Sequence, residues 1–163
     1  MSDVIPARLL KGVELATVPQ REFQELVPQV KAQTRGLLAS LFRRSGVQPG
    51  EAKEPAAKRL TKTRVSFNGA AWLRFYKRPS QPIALYLVYR DDSGEHAVLV
   101  DETHVSETSN AMLSGNVSFT VKGHLYALRA LAAGVQDASA FHIEEVYVQR
   151  KRQVASLAAT RSA

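Results

Sequence analysis

The 163-residue sequence predicts a mainly β protein with an N-terminal helical segment, its β part an antiparallel sandwich or open barrel of about six to seven strands. Three observations predict it. From Arg64 onward, β-branched and aromatic residues alternate with polar ones over six runs. The breaks between the runs carry Pro, Gly and Asp, the residues that turns require. Before residue 46 the spacing of apolar residues is instead three and four, the period of a helix.

The elements follow in chain order. Residues 1–18 give mixed signals and read as an irregular lead. Pro19 suits the first turn of a short helix reaching Leu26, and Pro28 breaks or kinks the chain and opens a second helix. In that helix, over 28–44, Val30, Thr34, Leu37, Leu38, Leu41 and Phe42 form one apolar stripe, with Gln29, Gln33, Gly36, Ser40 and Arg43 opposite. Arg43, Arg44 and Gly46 fit its carboxyl end. Residues 47–62, with Pro49, Gly50 and Pro55 and almost no large apolar side chain, read as a linker. The domain plan is therefore a helical docking segment over 1–46, the linker, a β domain over 63–150 and a basic tail over 151–163.

Within the β domain, 64–77, 83–90, 96–101, 116–122, 124–131 and 140–149 read as strands. Pro79-Ser80-Gln81-Pro82 and Asp91-Asp92-Ser93-Gly94 read as turns, Gly123 and Gly134 as corners, and the polar stretch 103–114 as a long loop. In the run 116–122, Val117, Phe119 and Val121 share one face. In the last run, Phe141 and Ile143 are out of phase with Val146 and Val148, which a β-bulge at Glu144-Glu145 reconciles.

Charge is distributed unevenly. Residues 1–62 carry 11 Lys/Arg against 6 Asp/Glu, residues 63–149 carry 7 against 9, and residues 150–163 carry 4 against none. A nucleic-acid reader whose folded surface holds the phosphates should have a basic body. This body is slightly acidic, and the cations sit in the flanks. The chain has no Cys, which removes disulfides, thiolate zinc sites and cysteine nucleophiles. Arg8, Lys11 and Glu14 interrupt the apolar character of the first twenty residues, so neither a secretory leader nor a membrane span is expected, and a cytoplasmic location is.

No pattern specific to a reaction is present: neither a G-x-S-x-G elbow nor a glycine-rich phosphate loop occurs. The histidines at 96, 104, 124 and 142 lack the close spacing of a local ligand pair, so neither metal nor other cofactor is expected. The positive signal is a row in the first β run. Trp72, Arg74, Tyr76 and Arg78 share a phase opposite to Leu73 and Phe75, and such a row can stack on rings or anchor a protein. The competing reading places Trp72 and Tyr76 in the core, covered by the N-terminal helix.

The expected function is accordingly a non-catalytic binding or assembly module, with the stripe Val30, Leu37, Leu38, Leu41 and Phe42 for docking to protein or for self-association. The alternative is a nucleic-acid-associated protein that holds phosphates on Lys53, Lys58, Arg59, Lys62, Arg150, Lys151 and Arg152. A metal-dependent enzyme is the third reading, and requires histidines that gather in space.

Overall fold

The computed structural model describes residues 4–24, 60–106 and 109–151, and among them the chain is mainly antiparallel β, in two sheets. The strands are β1 (Val4–Pro6), β2 (Gly12–Thr17), β3 (Lys62–Phe75), β4 (Ile83–Asp91), β5 (Gly94–Thr103), β6 (Asn110–Lys122), β7 (Leu125–Ala133) and β8 (Phe141–Arg150). One short helix, α1 (Gln20–Gln24), follows β2. The five-stranded sheet has the order β1-β5-β4-β7-β2 and the three-stranded sheet the order β6-β3-β8.

Alternation explains which face each strand buries. Along β3, Val65, Phe67, Ala71, Leu73 and Phe75 point into the core, where they meet Leu85, Leu87 and Tyr89 of β4 and Leu113, Val117, Phe119 and Val121 of β6. Phe119 sits between Tyr89 and Phe67, with ring centroids 4.1 and 5.7 Å away. The other phase of β3 faces outward. β4 is buried on both faces, because Ile5, Ala7 and Leu10 cover Val88, Ala97 and Leu131 on the outer side of the five-stranded sheet. That double burial is why the run IALYLVY is almost wholly apolar.

Two expectations are corrected here. Residues 4–17 are not an irregular lead: β1 pairs with β5 and β2 with β7, with one short 3-10 turn, Ala7–Leu9, between them. Val13 and Leu15 of β2 reach the main core, and burying them outweighs the weak local signal of so short a run. The stretch 103–114 is only in part a loop, since β6 begins at Asn110 and Ala111 and Leu113 continue the inward phase of Val117 and Phe119. The turn at 91–94, the glycine corners and the short helix after Pro19 form as the residues predict. The bulge does too: Trp72 pairs with Glu145 and Leu73 with Ile143, which leaves Glu144 as the extra residue.

The helix expected over 28–44, the linker residues up to 59 and the tail from Arg152 lie outside the described residues. Gln24 and Leu60, which bracket the longest such segment, both lie toward the end of the molecule where β3 begins. Val18 donates its N–H to the Leu128 carbonyl and Gln20 reaches the Tyr126 carbonyl, near the start of β7.

Candidate binding site

The outer face of the three-stranded sheet changes character along its length. At the end where β3 finishes, Trp72 lies directly opposite Met112 on β6 and Glu145 on β8. Tyr147, two residues beyond Glu145, lies on the diagonal, opposite Ala70. Trp72 is 46% exposed, Met112 52% and Tyr147 46%. Large apolar side chains grouped in this way on a solvent face are unusual, whereas single ones are ordinary. Tyr76, 58% exposed, follows in the chain just past the strand.

Arg74 fixes the border of this cluster. Its Nη2 lies 2.8 Å from Glu144 Oε1, and its Nε donates to Asn110 Oδ1 at 3.4 Å. The bulge puts Glu144 within reach of Arg74 while Glu145 stays beside Trp72. Glu145 has no cationic partner among the described residues. The aromatic end is therefore apolar at its centre, with an unpaired carboxylate at its edge.

A polar belt occupies the middle of the sheet. Asn68 faces Asn116 and Gln149, and the Ser66 and Ser118 hydroxyls bond to each other at 2.7 Å. Asn68 Oδ1 is buried with no partner among the described residues. Beyond the belt the face becomes basic. Lys62 stands directly opposite Lys122, Arg64 stands opposite Thr120, and Lys151 follows the end of β8, its N–H bonded to the Ser66 carbonyl.

The row Trp72, Arg74, Tyr76 and Arg78 is thus exposed, and the reading that put Trp72 and Tyr76 in the core does not describe the side chains around them. Arg78 lies past β3, in the loop before β4. Sequence reasoning missed Met112 and Tyr147. Their alternation with Leu113 and Val148 was a usable signal, but only cross-strand register shows that they adjoin Trp72. Of the phosphate-binding set, Lys62, Arg150 and Lys151 come to one end of the sheet, because β3 begins where β8 ends. Arg150 is half-buried there, and Lys53, Lys58, Arg59 and Arg152 lie outside the described residues.

That end holds a second feature, a turn clasp. Asp91, 4% exposed, accepts from the Ser93 N–H (2.8 Å), the Ser93 hydroxyl (2.6 Å) and the Lys122 N–H (2.8 Å). Burial raises its carboxyl most, but these three donors and nearby His96 outweigh burial and hold it below the ordinary aspartate value. Burial and the Asp91 charge push Tyr89 up to about 12. Asp92 accepts from the Tyr126 hydroxyl and the His124 N–H, which lower its carboxyl. The two aspartates together tie the β4–β5 turn to the corner between β6 and β7. Gly123, at φ +74°, passes so close to Asp92 that a Cβ would collide with its carboxylate.

Ser93, His96 and Asp91 have the composition of a hydrolytic triad but not its connectivity. Ser93 gives its proton to Asp91, so His96 Nε2, 2.9 Å from Ser93 Oγ, donates to the hydroxyl. Nucleophile activation needs the ring to accept that proton. Among the described residues no three His, Asp or Glu side chains gather as a metal site would require. Nor, among them, is any helix long and apolar enough to cross a membrane. Comparison with known protein families, characterised proteins and solved structures finds no match to this chain.

Proposed function

We propose that this chain is a non-catalytic assembly module, a β-sandwich that associates with a second copy of itself. The docking surface is the aromatic end of the three-stranded sheet, and its occupant is the apolar stripe of the 28–44 segment from the other copy. One observation carries the reading: Trp72, Met112 and Tyr147 form a single exposed cluster on a sheet face that is otherwise polar or charged. About half of each side chain is uncovered, roughly 300 Å² together for side chains of ~150–250 Å² each. At ~25 cal/mol per Å² that surface is worth about 8 kcal/mol before the costs of association.

Chemistry favours this occupant. The stripe of Val30, Leu37, Leu38, Leu41 and Phe42 needs an apolar counter-surface, and Lys31 and Arg35 on its border complement Glu145. Geometry favours a second copy over the same one. The segment leaves at Gln24 and returns at Leu60, near the basic end, while Trp72 lies ten residues along β3 from Lys62, roughly 33 Å at the strand rise. A helix over 28–44 is about 25 Å long. To reach the cluster within its own chain it has to lie across the polar belt, where the stripe buries against Asn and Ser side chains. From another copy it meets the cluster alone, and a two-fold pair satisfies both clusters at once.

Base stacking at the same cluster is disfavoured by Glu145, whose charge repels the phosphates that accompany bases. Light scattering tests the proposal. The full chain is expected to run as a dimer. Trp72→Ser with Met112→Ser is expected to be monomeric and folded, with an unchanged circular dichroism spectrum and a melting temperature that no longer depends on protein concentration, and Leu38→Asp with Leu41→Asp monomeric as well. A monomeric wild type overturns the proposal, including one in which Trp72 is shielded from quenchers by its own segment. So does a double surface variant that stays dimeric.

A further inference from the structure

We infer that the basic end of the three-stranded sheet is an anion site, built to take a phosphate group. The site is a cleft of about 420 Å³ lined by Arg64, Lys122, His96, Ser93, Thr120 and Phe119. Its origin lies in how the two sheets meet along one side. β5 and β6 touch near their far ends, where Gly115 lies against the Val100 carbonyl and Asp101 Oδ2 accepts the Ser114 N–H at 2.9 Å. Toward the other end β1 takes the β5 edge, pairing at His96, Ala97 and Val98. Phe119 to Lys122 of β6 are left bordering an opening, with Val4 on its far wall.

Three features of that opening point to an anion. First, Lys62 and Lys122 are directly opposed across β3 and β6, and Arg64 is on the same face two residues on. Like charges in direct opposition weaken a sheet. None of the three has a carboxylate partner among the described residues, so no ion pair there offsets the repulsion. Second, the one carboxylate in the lining, Asp91, is spent: its oxygens accept three hydrogen bonds and its side chain is buried. Third, the remaining lining supplies the Thr120 hydroxyl, a donor of the kind that completes a phosphate's shell, while the Ser93 proton is held by Asp91 and Ser118 is bonded to Ser66. Guanidinium and ammonium groups beside a hydroxyl suit a compact, doubly charged oxyanion. The apolar edge formed by Phe119 and Val4 leaves room for the group that bears it.

Free phosphate, pyrophosphate and the phosphate of an organic ester share this chemistry, and amide NMR separates them from general polyanion binding. Inorganic pyrophosphate titrated into the full chain is expected to shift the amides of Ser93 and Phe119 to Lys122, and to raise the melting temperature. Phosphate is expected to shift the same amides more weakly, and a nucleoside monophosphate to add shifts at Val4. Arg64→Ala with Lys122→Gln is expected to weaken pyrophosphate binding at least tenfold while melting no lower than wild type, because it removes repulsion. Lys11→Ala, at the far end of the molecule, is expected to leave affinity unchanged. The inference is overturned if the cleft amides do not respond, if the double variant binds as wild type does, or if only oligonucleotides bind and the shifts follow the flanking cations instead.

Discussion

Replacing Asp91 by Asn changes one atom of a buried carboxylate, and the structure gives the cost. Of three accepted hydrogen bonds, two converge on Oδ1 from Ser93 and one reaches Oδ2 from the Lys122 N–H. An amide keeps only one acceptor oxygen. If that oxygen faces Ser93, the new NH2 meets the Lys122 N–H, donor against donor, and the link from the turn to β6 is lost. An orphaned buried donor together with weaker, uncharged bonds costs about 2–4 kcal/mol. At about 3 °C per kcal/mol for a chain of this size, the melting temperature should fall by roughly 6–12 °C. The sign of the pH dependence follows from the depressed carboxyl. A folded-state value below the unfolded one gives stability that is complete above the unfolded value, about 3.9 for Asp, and is lost as pH falls through the folded value. Wild type and Asp91→Asn should therefore differ at pH 7, and the difference should shrink progressively as pH falls below about 4 toward the folded value. Thermal melts followed by circular dichroism across that range decide it. A gap smaller than about 0.5 kcal/mol at neutral pH, the scatter of ordinary surface substitutions, refutes the reasoning. So does a gap that persists unchanged into acid.

Five other substitutions probe the geometry. Gly115→Ala puts a Cβ 2.5 Å from the Val100 carbonyl, a backbone atom that cannot swing away, and should cost about 2 kcal/mol or more in urea melts. Gly69→Ala, whose Cβ meets side-chain methyls of Val100 at 3.4 and 3.5 Å and of Leu87 at 3.9 Å and no backbone, should cost less than half of that. Leu113→Ala should lose about 2–5 kcal/mol while Met112→Ala changes stability by less than about 0.5, since one is enclosed and its neighbour is exposed. Equal effects would mean that β6 does not begin where it is drawn. Tyr126→Phe removes the hydroxyl that lowers Asp92, so carboxyl titration by NMR should find Asp92 closer to its ordinary value. No change would deny the second half of the clasp.

Much of the β architecture was legible in the residues because alternation there is strong and the turns are chemically marked. β3 and β4 each carry three or more large residues in phase, and in β8 even the bulge shows as a phase slip at Glu144. β2 escaped notice because only Val13 and Leu15 mark its inward phase, and the gain from burying them depends on a β7 more than a hundred residues away. The first half of β6 hid behind Ser, Asn and Met on its outward phase. The site was half legible. The phase of Trp72 put it opposite Leu73, but whether the outer face was covered is a tertiary fact, and Met112 and Tyr147 join Trp72 only through register. The cleft could not be read at all, since Arg64, His96 and Lys122 come from three strands and the opening exists because β1 displaces β6 from the β5 edge.

The most direct test places a photo-crosslinking side chain at Tyr147, beside Trp72 but outside the core, in a copy of the chain distinguishable by mass from a second, unmodified copy. After irradiation of the mixture, mass spectrometry of the joined peptides should find residue 147 of one copy linked to a peptide containing Leu37 to Phe42 of the other. Links confined to a single copy, or to no segment of the chain at all, would contradict assembly through the aromatic end of the sheet.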